Sequence, residues 1–79
     1  MPNNTYVITE IVGVSPTSIS DAVHNAISRA NQTLKALDWF EVQGVRGTIV
    51  DGAVGQYQVT LSAGFRYLTD DEMRAWVKN

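Results

Sequence analysis

Two long strands joined by a tight turn are predicted by residues 39–67, which read WFEVQGVRGTIVDGAVGQYQVTLSAGFRY. Asp51-Gly52 separates two runs rich in β-branched and aromatic residues, and Asp-Gly in that setting is a strong signal for a two-residue hairpin turn. We therefore predict strands over residues 39–50 and 54–67. The second strand alternates, with Tyr57, Val59, Leu61, Ala63 and Phe65 on one face and Gln56, Gln58, Thr60, Ser62, Gly64 and Arg66 on the other.

The first strand of this hairpin breaks the alternation near Gly44. Phe40 and Val42 share one parity, whereas Val45 and Ile49 share the other. One extra residue in a strand switches the face of the side chains that follow, so a β-bulge at Gly44 would direct all four toward the core. The opposite face would then carry Trp39, Glu41, Gln43, Arg46 and Thr48.

A strand and a long amphipathic helix are predicted upstream of the hairpin. Residues 6–12, YVITEIV, form the strand, which ends at Gly13. The helix has two possible N-caps, Ser15 before Pro16 or Ser18 with Asp21. Steps of three and four residues then place one apolar stripe along it, at Ile19, Ala22, Val23, Ala26, Ile27, Ala30, Leu34 and Leu37.

The last residues predict a second, short helix. Residues 69–72, TDDE, form a capping box, and the helix continues through Lys78 with Met73, Trp76 and Val77 on its apolar side. The acidic residues Asp70, Asp71 and Glu72 are expected to cap this helix and not to bind a metal.

The element order predicts the fold class. The chain is expected to be an α+β protein: a β-α-β-β protomer whose three-stranded antiparallel sheet, in the order 1-3-2, wraps on one long helix, with a short C-terminal helix added. We divide it into a domain over residues 1–68 and a helical extension over residues 69–79.

Composition excludes several classes of protein. The 79 residues include 6 Lys+Arg, 8 Asp+Glu, one His and no Cys, for a formal net charge of −2. There is no thiolate or multi-His metal site, and this charge does not attract nucleic acid. No apolar run can span a bilayer and no signal-peptide pattern is present, so a cytoplasmic location is expected. A domain this small buries only about 60% of its unfolded surface, which leaves oligomerisation as its main source of added stability.

One helix covers one face of the sheet, and the other face is predicted to serve both assembly and ligand binding. It carries Trp39, Arg46, Gln58 and Arg66. Trp39 is either an interface or core residue or a platform for a flat ligand. Gln58 is either a solvated strand residue or a partner for the imide edge of a pyrimidine-like ring. Arg46 could stack on such a ring or bind phosphate.

The chain resembles the dodecin family of flavin-binding proteins over about residues 5–68. The resemblance is carried jointly by residues 37–42 (LDWFEV), 45–47 (VRG), 51–52 (DG), 57–59 (YQV) and 64–66 (GFR), together with the opening residues 10–16, EIVGVSP.

This resemblance implies an assembly and a set of ligand contacts. The assembly is a hollow homododecamer with helices outside and sheets inside, with paired flavins at two-fold contacts. Trp39 matches the family tryptophan on which the isoalloxazine stacks, and Gln58 the glutamine that hydrogen-bonds its pyrimidine edge. Arg46 matches an arginine near the flavin, and Arg66 one on the phosphate side. Asp38 and Val45 flank these positions and are expected to contact the ligand through backbone or packing.

The resemblance also implies the ligand and its fate. The implied flavin is FMN or riboflavin: similar bacterial members favour FMN, and some hold coenzyme A, for which the helix residues Arg29, Gln32 and Lys35 are candidate contacts. The implied function is storage and buffering of flavin, with photochemistry suppressed by stacking and without catalysis. Two alternatives stay open: a small flavin-dependent enzyme and a purely structural oligomer without ligand. The sequence offers no catalytic base, since His24, the sole histidine, is expected on the helix surface.

The C-terminal extension departs from the family pattern, whose chains usually end soon after the Phe-Arg pair. The extension either packs against a neighbouring subunit or over the sheet edge, or it brings Trp76 to a channel or to the ligand pocket.

Overall fold

A β-α-β-β protomer is seen in the computed structural model, which describes residues 5–67. The elements are β1 (Tyr6–Ser15), α1 (Ile19–Ala30), β2 (Leu37–Val50) and β3 (Ala53–Arg66). The sheet order is β1-β3-β2, and β3 is antiparallel to both neighbours, as predicted. The predicted capping box at residues 69–72, the short helix after it and Trp76 lie outside the described residues.

The hairpin turn has the backbone that Asp-Gly favours. Asp51 has φ of 52° and Gly52 has φ of 76°. Positive φ at both central residues is typical of a type I′ turn, whose twist matches that of the two flanking strands. The predicted turn is confirmed.

The helix begins at Ser18, the second of the two predicted N-caps. Ser18 Oγ accepts a 3.0 Å hydrogen bond from the Asp21 amide. The buried Ser15 hydroxyl accepts from the Thr17 amide at 2.9 Å and donates to Asp21 Oδ2 at 2.7 Å. Ser15 therefore shapes the turn that leads from β1 into the helix, without being its cap.

The helix is shorter than the apolar stripe predicts. It ends at Ala30, followed by turns whose Leu34 amide still donates to the Ala30 carbonyl at 2.9 Å. Ala36 then adopts a left-handed backbone, with φ of 60°, and Leu37 starts β2. The stripe continued through Leu34 and Leu37 because tight turns keep a helix-like spacing, but a left-handed residue cannot belong to an α-helix.

The core lies between α1 and the neighbouring strands β1 and β3. Ala22 and Ala26 pack on Val59 and Leu61, which are fully buried. Gly13 allows this close approach, because a Cβ there would overlap the Ala22 carbonyl. Among residues 5–67, the helix packs mainly on β1 and β3, and the side chains on the helix side of β2 are exposed.

The predicted bulge at Gly44 is confirmed, and it has only part of the expected effect. The register of β2 against β3 shifts between Val42 and Gly44, so that Phe40, Val42 and Val45 pair with residues on the helix side of β3. Each is nevertheless exposed, because α1 packs mainly on β1 and β3. Ile49 is not a core residue: a further shift between Thr48 and Ile49 pairs it with Val54, and it is 80% exposed.

The two ends of the described chain lie side by side. The Tyr67 amide donates a 2.6 Å hydrogen bond to the Thr5 carbonyl, just beyond the paired residues Tyr6 and Arg66. The described protomer is elongated, with extents of 54 × 27 × 15 Å. No helix among residues 5–67 is long and apolar enough to cross a membrane.

Candidate ligand site on the open sheet face

The face of the sheet away from α1, called the open face below, carries the predicted ligand residues in two separate groups. Trp39 pairs with Gly64 of β3, and Arg46 pairs with Gln58 of the same strand. Gly64 and Gln58 are six residues apart, which at about 3.4 Å per residue is about 20 Å. The sequence prediction placed these side chains on one face, which is confirmed, but they do not meet within one protomer.

Trp39 forms the first group together with the strand beneath it. Its indole lies on Gly64, where a Cβ would come 2.7 Å from indole Cδ2 and closer still to Cε2 and Cζ2. Glycine in a strand interior permits this kind of close contact. The outer side of the indole stays accessible, with Trp39 40% exposed. Gly64 was not among the predicted site residues, although glycine inside an otherwise regular strand is a signal that could have identified it.

Asp38 and Tyr6 complete this group. Asp38 is the extra residue at a register shift between Leu37 and Trp39, so it is placed beside the indole by a second bulge. The Tyr6 hydroxyl donates a 2.9 Å hydrogen bond to Asp38 Oδ2, and its ring centroid lies 6.4 Å from that of Trp39. Arg66 pairs with Tyr6 at the same end of the sheet. Tyr6 was not among the predicted site residues, because the register of β1 against β3 cannot be fixed from the sequence.

The second group is a hydrogen-bonded pair. Arg46 Nε donates to Gln58 Oε1 at 2.8 Å across the neighbouring strands. The bond orients the Gln58 amide. It does not use the two N–H donors of the NH₂ group, and Oε1 retains a second lone pair that can accept a hydrogen bond. The pair therefore offers donors and an acceptor together, which is the pattern that the imide edge of a planar heterocycle requires.

Val45 lies on the other side of the sheet from these groups. It pairs with the fully buried Val59, on the helix side. A ligand on the open face could therefore meet residue 45 through its backbone but not through its side chain.

Of the candidate coenzyme A residues, Arg29 lies in the last turn of the helix, while Gln32 and Lys35 follow its end at Ala30. The grooves lined by Arg29 and by Lys35 adjoin at Thr33 and Leu34. Arg29 lines a groove of about 390 Å³ between α1 and β1, next to Ile11. Lys35 lines a different groove of about 280 Å³ beside Phe65. Gln32 is exposed in the turn between them. A coenzyme A site at these residues stays a prediction.

Neither a metal site nor an acid–base pair is seen in the part of the chain that the structure describes. No cluster of three or more His, Asp or Glu side chains occurs among residues 5–67. His24 is exposed on α1, as the sequence predicts. Among the described residues, the open face carries a partly exposed indole and a hydrogen-bonded Arg–Gln pair.

Over residues 5–67, fold and site define a class of small proteins in which one helix packs on a three-stranded antiparallel sheet and the other sheet face carries a partly exposed tryptophan. The dodecin family profile matches residues 5–68, and the chain belongs to the dodecin family. It is 49% identical over 57 residues to a dodecin of Thermus thermophilus, covering 72% of this chain and 83% of that protein.

Solved structures agree with this assignment. The dodecin of Streptomyces coelicolor superposes with a TM-score of 0.84 at 54% identity, covering 89% of this chain and 100% of that one. The dodecin of Streptomyces davaonensis gives a TM-score of 0.83 at 50% identity, covering 86% of this chain and 100% of that one. The β-α-β-β topology is thus shared with experimentally determined dodecins.

Proposed function

We propose that this protein binds a flavin, FMN or riboflavin, on the open face and stores it without turnover. The observation that carries the proposal is the Trp39 indole, which rests on Gly64 and keeps its outer side accessible. A planar aromatic ligand can stack on such a ring by dispersion and by burying apolar area. An isoalloxazine is a ligand of this shape.

The proposed binding site is completed by a second copy of the chain. Arg46 and Gln58 lie about 20 Å along β3 from the indole, farther than a fused three-ring ligand reaches. A two-fold contact between open faces would bring the Arg46–Gln58 pair of one copy to the indole of the other. Gln58 would then hydrogen-bond the imide edge of the flavin, with Arg46 holding the amide in place.

Arg66 favours FMN over riboflavin in this arrangement. It pairs with Tyr6 at the sheet end where the indole lies, and its guanidinium can bind a phosphate through two parallel hydrogen bonds. Riboflavin lacks that phosphate, so it would gain nothing from the cation.

Self-association is supported by apolar residues that the protomer leaves exposed. Phe40, Val42 and Val45 form an uncovered row on the helix side of β2, 43–50% exposed. Ile49, Val50 and Val54 are more exposed still, at the tip of the hairpin. Apolar surface distributed in this way is typical of an interface between subunits. We propose a homododecamer, as the resemblance implies.

Storage rather than catalysis is the mechanism that this chain's residues support. Stacking fixes a flavin against Trp39, and burial between copies excludes water from it. The electron-rich indole in van der Waals contact is an efficient quencher of the ligand's excited state, which limits photochemical damage. The described residues add binding and orientation to this, through Gln58, Arg46 and Arg66.

The test is the mass and the visible absorption spectrum of the protein in one size-exclusion peak. The proposal predicts a yellow particle of about 104 kDa, twelve times the 8.7 kDa of one chain. Its flavin fluorescence should be weak and should return on unfolding. A colourless particle that takes up neither FMN nor riboflavin on titration would leave the structural-oligomer alternative. Sustained consumption of a reductant by the loaded particle would favour the enzyme alternative.

A further inference from the structure

Tyr6 reaches the Trp39 indole from the far edge of the sheet. Tyr6 lies on β1 and Trp39 on β2, with β3 between them. Gly64 of β3 has no side chain to separate the two rings, so their centroids come within 6.4 Å at an interplanar angle of 54°. The indole therefore packs with one side on the Gly64 backbone and is flanked by the Tyr6 ring.

The same tyrosine also ties down the backbone that carries the indole. Its hydroxyl donates a 2.9 Å hydrogen bond to Asp38 Oδ2, and Asp38 directly precedes Trp39 at a register shift. A bulge residue lacks the regular ladder bonds of its neighbours, so a side-chain bond from β1 limits its motion. Tyr6 thus constrains Trp39 both through its ring and through residue 38.

We propose that Tyr6 is the positioning residue of the flavin site, holding the Trp39 indole in its binding orientation before the ligand arrives. This inference rests on the proposed function. A half-exposed tryptophan without a neighbouring ring to restrict it would populate several rotamers, and ordering such a side chain on binding costs free energy. Tyr6 removes that cost in the ligand-free protein, so flavin affinity depends on a residue two strands away.

The tilt between the rings separates this role from direct binding. A ligand parallel to the indole meets the Tyr6 ring at 54° and cannot lie flat on both. Face-to-face contact with the ligand belongs to Trp39, and Tyr6 acts through Trp39 and Asp38.

The first experiment measures the indole itself in ligand-free protein. Trp76 is replaced by Phe in every variant, so that Trp39 is the sole indole, and its anisotropy decay is recorded for Tyr6→Leu and Tyr6→Phe. We expect Tyr6→Leu to add a fast, wide-angle motion of Trp39 and Tyr6→Phe to give a smaller change. Val12→Ala is the matched control, on the same strand and face and exposed, and should leave the decay unchanged.

The second experiment measures FMN affinity in the same variants. We expect about tenfold weaker binding for Tyr6→Leu and about threefold for Tyr6→Phe, as preorganisation is lost in two steps. Asp38→Ala should weaken FMN binding as much as Tyr6→Phe does. The variant that combines Tyr6→Phe with Asp38→Ala should lose no more affinity than either single variant, since all three remove the same hydrogen bond. Asp38→Asn keeps an acceptor oxygen and should restore most of the affinity.

The outcomes distinguish this inference from the proposed function. Unchanged anisotropy and unchanged affinity in Tyr6→Leu overturn the positioning role even when the parent protein binds FMN. Fully additive losses for Tyr6→Phe and Asp38→Ala overturn the part assigned to their hydrogen bond. A parent protein that binds no flavin overturns the proposed function, and with it the role of Tyr6 in a flavin site.

Discussion

The indole of Trp39 lies on the backbone of Gly64, with no side chain between them and with its outer side accessible. This contact ties the position of the proposed platform to the absence of a single Cβ atom. The position of the indole therefore depends on β3 as well as on Trp39, because the backbone of β3 at Gly64 supports one side of the ring.

Gly64→Ala tests that contact. The added methyl would overlap the indole ring and displace it, and we expect a loss of about 1–3 kcal/mol in stability together with a large loss of flavin affinity. Urea unfolding and FMN titration measure the two effects. Gly44→Ala is the control, since a Cβ there meets nothing within 4 Å. Normal affinity in Gly64→Ala would show that the indole is free to move aside.

Trp39→Ala removes the platform. We expect FMN affinity to fall by about tenfold or more, because stacking and its buried area are lost together. Trp39→Phe keeps a smaller aromatic ring, and its FMN affinity should lie between those of Trp39→Ala and the parent protein. Fluorescence titration of FMN gives the three affinities. Equal affinities in all three proteins would contradict stacking on residue 39.

A mixing experiment tests whether two copies build each site. Trp39→Ala and Gln58→Leu chains, each weak in binding, are unfolded, mixed in equal amounts and refolded together. If one copy supplies the indole and the other the glutamine, about a quarter of the sites regain both groups. Binding stoichiometry from absorbance counts them. A mixture with no recovered sites would mean that both groups come from one chain.

Gly52→Ala tests the hairpin turn. Gly52 has φ of 76°, which an alanine adopts only at a cost of about 1–2 kcal/mol, and open space surrounds it, so the effect is purely conformational. Urea unfolding should show this loss. The control is again Gly44→Ala, whose backbone is not left-handed, and it should change stability by less than about 0.5 kcal/mol. Similar losses in both variants would contradict a cost that comes from the left-handed backbone of Gly52.

The hairpin and the bulge near Gly44 could be predicted because each leaves a local mark in the sequence, and the sheet order could be predicted from the right-handed crossover rule. Asp51-Gly52 specifies its own turn type, and the change of parity between Val42 and Val45 requires an extra residue in β2. The register shift at Thr48 leaves no such mark, since Ile49 keeps a parity that fits the core. Its exposure follows from that shift and from its place near the tip of the hairpin, which the strand pattern does not encode.

The sequence predicted which residues share the open face, but it did not predict the distances between them. Trp39, Arg46, Gln58 and Arg66 do share the open face, as alternation indicates. Their separation depends on the register of β2 against β3, and that register is set by bulges whose positions combine. The role of Tyr6 depends on a third strand, whose pairing joins residues about sixty positions apart in the chain.

The hydrogen bond between Thr5 and Tyr67 has a practical consequence for anyone producing the protein. The chain enters and leaves the described fold side by side, next to Tyr6 and Arg66 and therefore at the indole end of the sheet. A label attached at residue 5 or residue 67 is therefore held close to the proposed ligand site. A fluorescent dye at either position is well placed to report on ligand uptake by energy transfer, and affinities should be compared with unlabelled protein.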